Sequence, residues 1–254
     1  MKQAILVTSF GTSYFETLEK TISVIEREMA AEFPHYEIRR AFTSEIIRAK
    51  LKKRDNMEID NVKTALEGFV KEGYTNVVIQ PTLIINGLEY EKKIMAVVEK
   101  FKDKFEALKV GAPLLTDGAD YTKVSKALGK AYDINEITVF VGHGTTHHSD
   151  AAYAALDYHL KANGLSNFFA GALGGYPDMD TVYSAIQKLG GKKVTLVPFM
   201  LVAGDHTVKD IAGEKDSWKA FFISKGFDVR CELKGLGELP DIRRIFYDHV
   251  SECL

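Results

Sequence analysis

The sequence has few of the features that mark secreted, membrane or nucleic-acid-binding proteins. Its 254 residues include only two cysteines, Cys231 and Cys253, which cannot form a disulfide framework or a CxxC site and which suit a reducing cytoplasm. No apolar run approaches the roughly 20 residues of a membrane-spanning helix. The 33 basic residues nearly balance the 35 acidic ones. This composition gives no support to a nucleic-acid or membrane partner.

Targeting and nucleotide-binding motifs are missing as well. The opening stretch, MKQAILVTSFGTS, turns polar after a short apolar run and has no A-x-A cleavage pattern, so we interpret it as a first strand rather than a signal peptide. The chain has no P-loop, no G-x-G-x-x-G and no G-x-S-x-G, which leaves nucleotide binding and serine hydrolysis without support. We therefore expect a cytoplasmic protein that uses no nucleotide. The oligomeric state, a homo-oligomer included, stays open.

Short apolar runs do alternate with longer amphipathic stretches along the whole chain. An α/β fold with parallel strands is the architecture that such alternation predicts. The expected strands are Ala4–Thr8, Tyr36–Phe42, 76–85, Leu108–Leu115, Ile137–Val141, Phe168–Leu173, Val194–Val202 and Asp228–Leu233. The expected helices between them include Glu16–Ala31, Ile59–Lys71, about Glu89–Phe105, Ser149–Ala162 and Thr181–Leu189.

Part of the first half of the sequence is repeated in the second half. The segment NVVIQPTLIINGLEYEKKI (76–94) aligns without gaps with KVTLVPFMLVAGDHTVKDI (193–211), 117 positions later, and the two share a valine, a proline, a glycine, a lysine and an isoleucine. A second match pairs Gly11 with Gly144, 133 positions later. Any two βαβ units share an apolar strand and a turn glycine, but matched blocks in the same order favour duplication.

The repeat predicts two similar doubly wound parallel-sheet α/β domains with a cleft between them. We place the first domain at residues 1–130 and the second at residues 131–254. The amphipathic terminal helix, about Asp241–Val250, is a candidate to pack back on the first domain.

Unlike residues occupy matching loop positions in the two halves. His143 is aligned with Phe10, and His206 is aligned with Glu89. All four follow the carboxyl end of an apolar strand, where open α/β sheets bind their ligands. These four residues are therefore our first candidates for a functional site.

His143 lies between Gly142 and Gly144 in the motif GHGTTHH. The glycines allow a sharp bend that brings a ligand close to the backbone, and an imidazole can accept a proton near neutral pH or ligate a divalent metal. A strand-end histidine can also simply cap the next helix. His147 and His148 are candidate additional ligands, although at least one of them fits better as a solvated residue of the first helical turn.

Three further loop residues have alternative interpretations. Glu89 is either a cleft residue or an acid stabilised by the helix dipole, and Tyr90 is either part of a cavity wall or an ordinary packing residue. His206 is a candidate metal ligand, with Asp205 either orienting it or capping the next helix.

The segment after the first expected strand is a candidate for binding anionic groups. Its residues Ser9, Phe10, Gly11 and Thr12 could present hydroxyls and backbone N–H groups at a helix start. A plain turn, in which Thr12 or Ser13 caps the helix, explains the same sequence almost as well.

These motifs together resemble one family, the anaerobic sirohydrochlorin cobaltochelatases of cobalamin biosynthesis (CbiK type). The resemblance extends over nearly the whole chain in the same order. The matching segments are LVTSFGTSY (6–14), RAFTSEIIR (40–48), IINGLEYEK (84–92), GHGTTHH (142–148), MLVAGDH (200–206), DSWK (216–219) and GLGE (235–238).

The resemblance implies a class II chelatase fold and a lyase that inserts Co²⁺ into sirohydrochlorin without ATP. It implies that His143 and His206 hold the metal, that His143 accepts a proton and that Glu89 is an active-site acid. A sirohydrochlorin-type tetrapyrrole would then contact Ser9, Phe10, Gly11, Thr12, Glu89, Tyr90, Gly142 and Gly144. Arg40, Arg48 and Lys92 are candidate partners for its carboxylates, or are solvated surface residues.

One position departs from the family pattern. Relatives tend to have a metal-ligating glutamate just before a Tyr-Pro pair, where this chain has Gly174. The ligand types alone suit Co²⁺, Fe²⁺ and Ni²⁺, so a sirohydrochlorin ferrochelatase or a nickel chelatase is an alternative. A tetrapyrrole- or metal-binding protein without catalytic activity is a further alternative, because glycine has no side chain to ligate a metal.

Overall fold

The computed structural model describes residues 2–204 and 207–254. Its strands are β1 (Gln3–Ser9), β2 (Glu37–Phe42), β3 (Asn76–Pro81), β4 (Ala107–Val110), β5 (Thr138–Gly142), β6 (Phe168–Ala172), β7 (Lys193–Pro198) and β8 (Asp228–Cys231). Its α-helices are α1 (Phe15–Lys20), α2 (Ile22–Glu32), α3 (Glu45–Asp55), α4 (Val62–Glu72), α5 (Ala96–Phe101), α6 (Gly118–Ala131), α7 (Ala151–Ala162), α8 (Met179–Gln187), α9 (Trp218–Ser224) and α10 (Pro240–Cys253).

The strands form two four-stranded sheets with the same order. The first sheet has the order β2-β1-β3-β4 and the second has the order β6-β5-β7-β8, and all the strand pairs are parallel. The central strands β1 and β5 are buried almost along their whole length, as expected for strands covered on both faces. The predicted fold of two similar parallel-sheet domains is confirmed.

The chain divides into two compact units. The first unit contains Met1–Thr116 and Ile242–Leu254, and the second contains Asp117–Asp241. The division therefore comes just before α6 rather than near residue 130, because α6 packs against α7 of the second unit. The terminal helix α10 belongs almost entirely to the first unit.

The two units share backbone detail as well as strand order. Thr82 N donates to Thr8 O at 2.8 Å, and Phe199 N donates to Val141 O at 2.7 Å. These pairs stand 117 and 133 positions apart in the sequence, which are the two repeat offsets. The repeat thus reproduces the hydrogen bonds at the carboxyl edge of each sheet.

Two π-helices also occur at matching positions. The first is Tyr90–Met95 and the second is Thr207–Ile211, again 117 positions apart. We expected one continuous helix over about 89–105, but the structure has the first π-helix, then α5 and then a short 3₁₀ helix, Lys102–Lys104. π-Helical turns are rare and are frequently found at functional sites.

Each unit has its own hydrophobic core. The core of the first unit is built around Leu6, Leu66, Phe69 and Ile79, all fully buried, and that of the second around residues such as Val139, Leu196, Trp218 and Phe222. Within the described residues, no helix is long and apolar enough to cross a membrane.

Helix α10 is fastened to the first unit by buried polar groups. The Arg243 guanidinium donates to both Glu28 carboxylate oxygens, at 2.8 and 2.7 Å, and Tyr247 Oη donates to Glu28 at 2.8 Å. These hydrogen bonds from Arg243 and Tyr247 hold the pKa of Glu28 below its usual value despite its partial burial. His249, also buried, bonds through Nδ1 to Ala112 O at 2.9 Å.

Candidate active site

The loops after β1, β3, β5 and β7 carry the expected site residues. The order of each sheet reverses between its first and third strands, and ligands bind beyond the carboxyl ends of strands at such switch points. In the first unit these loops hold Phe10 and Glu89, and in the second the loop after β5 holds His143. His206 and Asp205 lie outside the described residues.

The loop after β1 turns at Gly11. The φ angle of Gly11 is +99°, in the left-handed region that glycine adopts without strain. A Cβ at this position would lie 2.5 Å from Cδ2 of the Phe42 ring. Conformation and space therefore both demand glycine here. The neighbouring Phe10 is 48% exposed, so its ring can contact a bound ligand.

Buried hydroxyl groups form hydrogen bonds within and next to the same loop. Ser9 and Thr12 are buried. Ser9 Oγ is 2.7 Å from Thr82 Oγ1, and Thr12 Oγ1 accepts a hydrogen bond from Tyr14 N at 3.2 Å. Helix α1 has Tyr14 as its N-cap, without a side-chain hydrogen bond. The expected capping by Thr12 or Ser13 is therefore wrong, because the Thr12 hydroxyl is used in the turn that precedes the helix.

Glu89 lies in the helical turn that leads directly into the π-helix Tyr90–Met95. Burial raises the pKa of its carboxyl above the usual value. The positive charge of Lys93 and the hydroxyl of Thr43 lower that pKa, whereas the nearby carboxylate of Glu45 raises it. Lys93 Nζ also forms an ion pair with Glu45 at 2.8 Å. Glu89 therefore holds a proton more firmly than an exposed glutamate does.

Tyr90 packs against the core of the first unit. It is partly buried against a cluster that contains Ile94 and Val98, and burial raises the pKa of its phenol. Packing therefore accounts for Tyr90. Contact between Tyr90 and a substrate remains a prediction.

Gly142 and Gly144 leave space for two other parts of the second unit to pack closely against the loop after β5. A Cβ at Gly142 would lie 2.1 Å from the ring of Tyr153. Gly144 has a φ of +73°, and its Cβ would lie 2.8 Å from backbone atoms of Gly174 and Gly175. The Tyr153 ring fills this space at Gly142, and the backbone of Gly174 and Gly175 fills it at Gly144. A side chain larger than hydrogen therefore fits at neither glycine.

His143, between these glycines, is exposed. Its Nδ1 is 3.1 Å from Gly144 O. A neutral imidazole that donates through Nδ1 has its lone pair on Nε2. In this tautomer the Nε2 atom can accept a proton or ligate a metal.

Tyr153 lies under this loop, and sequence reasoning did not find it. Its phenol oxygen is near the backbone N–H groups of Gly144 and His143, which lower its pKa, but burial dominates and raises the pKa to about 12. The phenol therefore stays protonated at neutral pH. Tyr153 is part of a predicted helix with no motif of its own, so the sequence contained no signal for this role.

Asp150 joins the His143 loop to the turn that contains Gly174. One carboxylate oxygen of Asp150 accepts a hydrogen bond from Thr145 N at 3.0 Å, and the other accepts one from Tyr176 N at 2.7 Å. Gly175 leaves the space for this carboxylate, because a Cβ there would lie 2.1 Å from Asp150 Oδ1. Asp150 thereby helps to hold the His143 loop in position.

His147 and His148 belong to the start of the next helical segment. His147 Nδ1 accepts a hydrogen bond from Ser149 N at 3.3 Å and lies 2.9 Å from Ser149 Oγ. Its ring contacts that of His148, with 3.9 Å between the centroids. These contacts support the interpretation of His147 as a helix-start residue.

The turn at Gly174 has room for a side chain. Gly174 N donates to His143 O at 3.0 Å. A Cβ on Gly174 would meet only that same oxygen, at 3.7 Å, which is an ordinary van der Waals distance. The turn thus has space for a Cβ atom at the position where the family resemblance implies glutamate.

The candidate arginines for substrate carboxylates have partners within the first unit. Arg40 Nε donates to Glu26 at 2.7 Å, and Arg48 Nε donates to Ile59 O at 2.7 Å. Both arginines therefore have partners within the protein, and their contact with substrate carboxylates stays a prediction. Lys92 is exposed.

A model of the cobalt chelatase (CbiK) family matches residues 3–254, which is nearly the whole chain. The chain belongs to this family. The resemblance predicted from the sequence motifs is therefore confirmed.

Two curated relatives cover this family member from end to end. The chain is 43% identical over 260 aligned positions to the sirohydrochlorin cobaltochelatase of Salmonella typhimurium, covering 100% of this chain and 97% of the relative. It is 33% identical over 262 positions to the sirohydrochlorin cobaltochelatase CbiKC of Nitratidesulfovibrio vulgaris, covering 100% and 91%.

Solved structures support the fold assignment. The sirohydrochlorin chelatase SirB from Bacillus subtilis subspecies spizizenii, in complex with cobalt, has a TM-score of 0.70 at 16% identity, with 100% of this chain and 95% of that chain covered. SirB from Bacillus subtilis with Fe³⁺ has a TM-score of 0.68 at 17% identity, with 100% and 96% covered. At such low identity these likenesses concern the chelatase fold alone.

Proposed function

We propose that this cobalt chelatase family member inserts Co²⁺ into sirohydrochlorin and that it uses no nucleotide. The observation that carries this proposal is the full-length identity to two sirohydrochlorin cobaltochelatases. The exposed imidazole on a glycine-flanked turn and the half-buried carboxylate at the matching loop of the other unit support it chemically.

Metal insertion needs proton acceptors and a place to hold the ion. Two pyrrole N–H protons leave the tetrapyrrole, the ion loses its waters, and the four ring nitrogens bind the ion, two of them in place of their protons. The products are cobalt sirohydrochlorin and two protons, and the oxidation state of the metal does not change. Histidine and carboxylate side chains are suited to accepting such protons near neutral pH.

His143 is the residue to which we assign the first proton transfer. Its exposure and its hydrogen bond from Nδ1 to Gly144 O support a lone pair on Nε2 that is accessible to a substrate. The contacts made by Asp150 and Tyr153 hold the loop around it. We also assign His143 and His206 as the residues that bind the incoming ion, by resemblance to the family motifs GHGTTHH and MLVAGDH.

Glu89 is the residue to which we assign a second, acidic role. Its partly buried carboxyl, with a pKa raised by burial, can attract the divalent ion when ionised and can take up a proton. The loops that carry Ser9, Phe10, Gly11 and Thr12, together with Gly142 and Gly144, are the proposed contacts for the macrocycle.

The metal and the compartment are also part of the proposal. Imidazole and carboxylate ligands suit several first-row divalent ions, and we choose Co²⁺ over Fe²⁺ and Ni²⁺ because both curated relatives are named cobaltochelatases. Two cysteines and a net charge of −2 support a cytoplasmic location with no nucleic-acid or membrane partner.

Anaerobic absorbance spectroscopy of sirohydrochlorin with Co²⁺, Fe²⁺ or Ni²⁺ tests the function. We expect the fastest insertion with Co²⁺. His143→Ala should lose roughly 100-fold or more in kcat, since a positioned proton acceptor contributes about 10²–10⁴-fold, and His206→Ala should slow insertion because it removes an assigned metal ligand. His35→Ala, which changes an exposed turn residue, is the matched control and should keep the parent rate.

Two results would contradict the proposal. Parent rates in both site variants would remove the assigned roles of the histidines. Tight sirohydrochlorin binding without insertion of any metal would instead support a non-catalytic binding protein. Gly174→Glu, for which the turn has room, should keep the fold and should raise the affinity for Co²⁺ if a further carboxylate completes the coordination.

A further inference from the structure

Thr43 has a buried hydroxyl without a hydrogen-bond partner of standard geometry among the described residues. It follows β2 directly, within the segment RAFTSEIIR, and only 3% of it is exposed. Its Oγ1 is one of three buried side-chain polar atoms of the described chain that have no such partner. Buried polar groups are normally paired, so an unpaired one calls for an explanation.

The fold itself does not require a hydroxyl at this position. Thr43 N donates to Ser9 O at 2.9 Å, and in the second unit Leu173 N donates to Gly142 O at 2.9 Å. Because Ser9 and Gly142 are matched by the repeat, Thr43 and Leu173 occupy the same place in the two units. Leu173 is apolar and packs against the second core. The backbone of the repeat thus accepts an aliphatic side chain where the first unit has threonine.

The turn that contains Thr43 lies beside the helical segment of Glu89, because Glu45, two residues after Thr43, forms an ion pair with Lys93 at 2.8 Å. The Thr43 hydroxyl lowers the pKa of Glu89, against the effect of burial. Two charged groups also affect the pKa of Glu89. They are Lys93, four residues later on the same helical segment, and Glu45 at the start of α3. Lys93 and Glu45 are paired with each other, so Thr43 is the neutral donor beside this carboxyl.

We propose that Thr43 is a positioning residue that orients the Glu89 carboxylate for metal insertion, an inference that rests on the proposed function. The Oγ–H group donates to the carboxylate as it approaches the substrate. The same turn ties this arrangement to the substrate loop, because Thr43 N and Ser44 N donate to Ser9 O and Phe10 O. Thr43 therefore connects the acid to the segment that is proposed to bind the macrocycle.

Thr43→Val and Thr43→Ser test this role. Valine has nearly the same shape but no donor, so we expect kcat for Co²⁺ insertion to fall by about 10- to 100-fold, as for a misplaced catalytic group, with KM for sirohydrochlorin unchanged. Thr43→Ser should stay within about twofold of the parent rate, because the hydroxyl is kept. The stability of Thr43→Val should equal or exceed that of the parent, since an unpaired buried hydroxyl is replaced by a methyl group.

A control and a double variant separate positioning from general damage. Ser125→Ala removes a buried hydroxyl that donates to Tyr121 O at 2.8 Å; it should lose stability and keep the rate. In a Glu89→Gln background, Thr43→Val should cause no further loss, because the two residues act as one unit.

Each result decides the matter. An active parent with an equally active Thr43→Val variant overturns the inference alone, as does a Thr43→Ser variant as slow as Thr43→Val, or a loss that adds fully to that of Glu89→Gln. If the parent inserts no metal under any condition, the proposed function fails, and the inference falls with it.

Discussion

The carboxyl edges of the two sheets have the same backbone but different side chains. The first unit places hydroxyl groups there, whereas the second places glycine and apolar residues. The matched pairs, set by the repeat offsets and by shared backbone hydrogen bonds, are Thr8 and Val141, Ser9 and Gly142, Thr43 and Leu173, Ser44 and Gly174, and Thr82 and Phe199.

This difference teaches how a duplicated fold can divide its chemistry. In the first unit, the hydroxyls of Ser9 and Thr82 pair with each other beneath the loop after β1, and the Ser44 hydroxyl caps α3. In the second unit, the glycines allow Tyr153 and the turn at Gly174 to come close beneath an imidazole. The backbone is common to both units, so the chemical difference between the two edges resides in these few side chains.

The largest expected effect comes from the turn glycines. Gly144→Ala should reduce the free energy of unfolding by about 3 kcal/mol, from left-handed strain and a clash with rigid backbone. Gly11→Ala should reduce the free energy of unfolding by about 1 kcal/mol less than Gly144→Ala does. At Gly11 the ring of Phe42, rather than backbone, has to move.

Gly164→Ala is the control for this pair in chemical denaturation. Its φ is +82°, and nothing lies within 4 Å of its Cβ, so it should show only the left-handed strain of about 1 kcal/mol. If all three variants lost the same stability, the close approach of backbone at Gly144 would have no energetic weight.

An intermediate effect on stability is expected when threonine, the residue at position 43 of the first unit, replaces Leu173 at the matching position of the second unit. Leu173→Thr should lose about 1–2 kcal/mol more than Leu173→Val, since both are shortened equally and only threonine brings a hydroxyl into a partly apolar place. Urea denaturation of the two variants isolates the hydroxyl. Equal stability of the two would mean that this position does not distinguish the units.

The smallest expected effect concerns the pH dependence of stability at Glu89. The raised pKa of Glu89 means that its ionised form is less favourable in the folded chain than in the unfolded one. Glu89→Gln should therefore be more stable by about 0.5 kcal/mol at pH 7 to 8. The gain in stability should vanish as the pH falls below the ordinary glutamate pKa of about 4.3. There the protonated carboxyl of the parent and the amide of the variant are both neutral.

Glu91→Gln, at an exposed position of the same segment, is the matched control in that pH series. A Glu89→Gln variant that is less stable than the parent at pH 8 would show that Lys93 and Thr43 outweigh burial.

Much of the fold followed from periodicity and the repeat. The offsets of 117 and 133 positions, found in the sequence, also relate the edge hydrogen bonds and the two π-helices. The ends of the strands were predicted less accurately than their order. The apolar run 76–85 predicted a strand to residue 85, but β3 ends at Pro81, because its neighbour β1 ends at Ser9 and apolar character continues into the buried loop.

Helices were missed where their apolar pattern is weak. Helix α3, EIIRAKLKKRD, buries only Leu51, so its sequence has almost no apolar periodicity. The expected helix over 16–31 is divided at Thr21 into α1 and α2. A single residue with non-helical backbone angles, as at Thr21, leaves no mark on the spacing of apolar residues.

The candidate site shows a similar limit. Glycine-flanked His143 and the repeat-matched Glu89 could be singled out from sequence because both follow apolar strands at matching places in the two halves. Thr43, Asp150 and Tyr153 could not, because their roles come from contacts with residues distant in sequence. Extending the comparison of the two halves to Thr43 and Leu173 would have required the register of β2 and β6, which only the structure supplies.

The discontinuity of the first unit affects the order in which the chain can fold. Met1–Thr116 is completed only by Ile242–Leu254, whereas the second unit is one uninterrupted stretch. On the ribosome, every residue of the second unit is therefore synthesised before the first unit receives its last helix. Until then Glu28 lacks Arg243 and Tyr247. The half of the protein that is translated first is thus the half that is finished last.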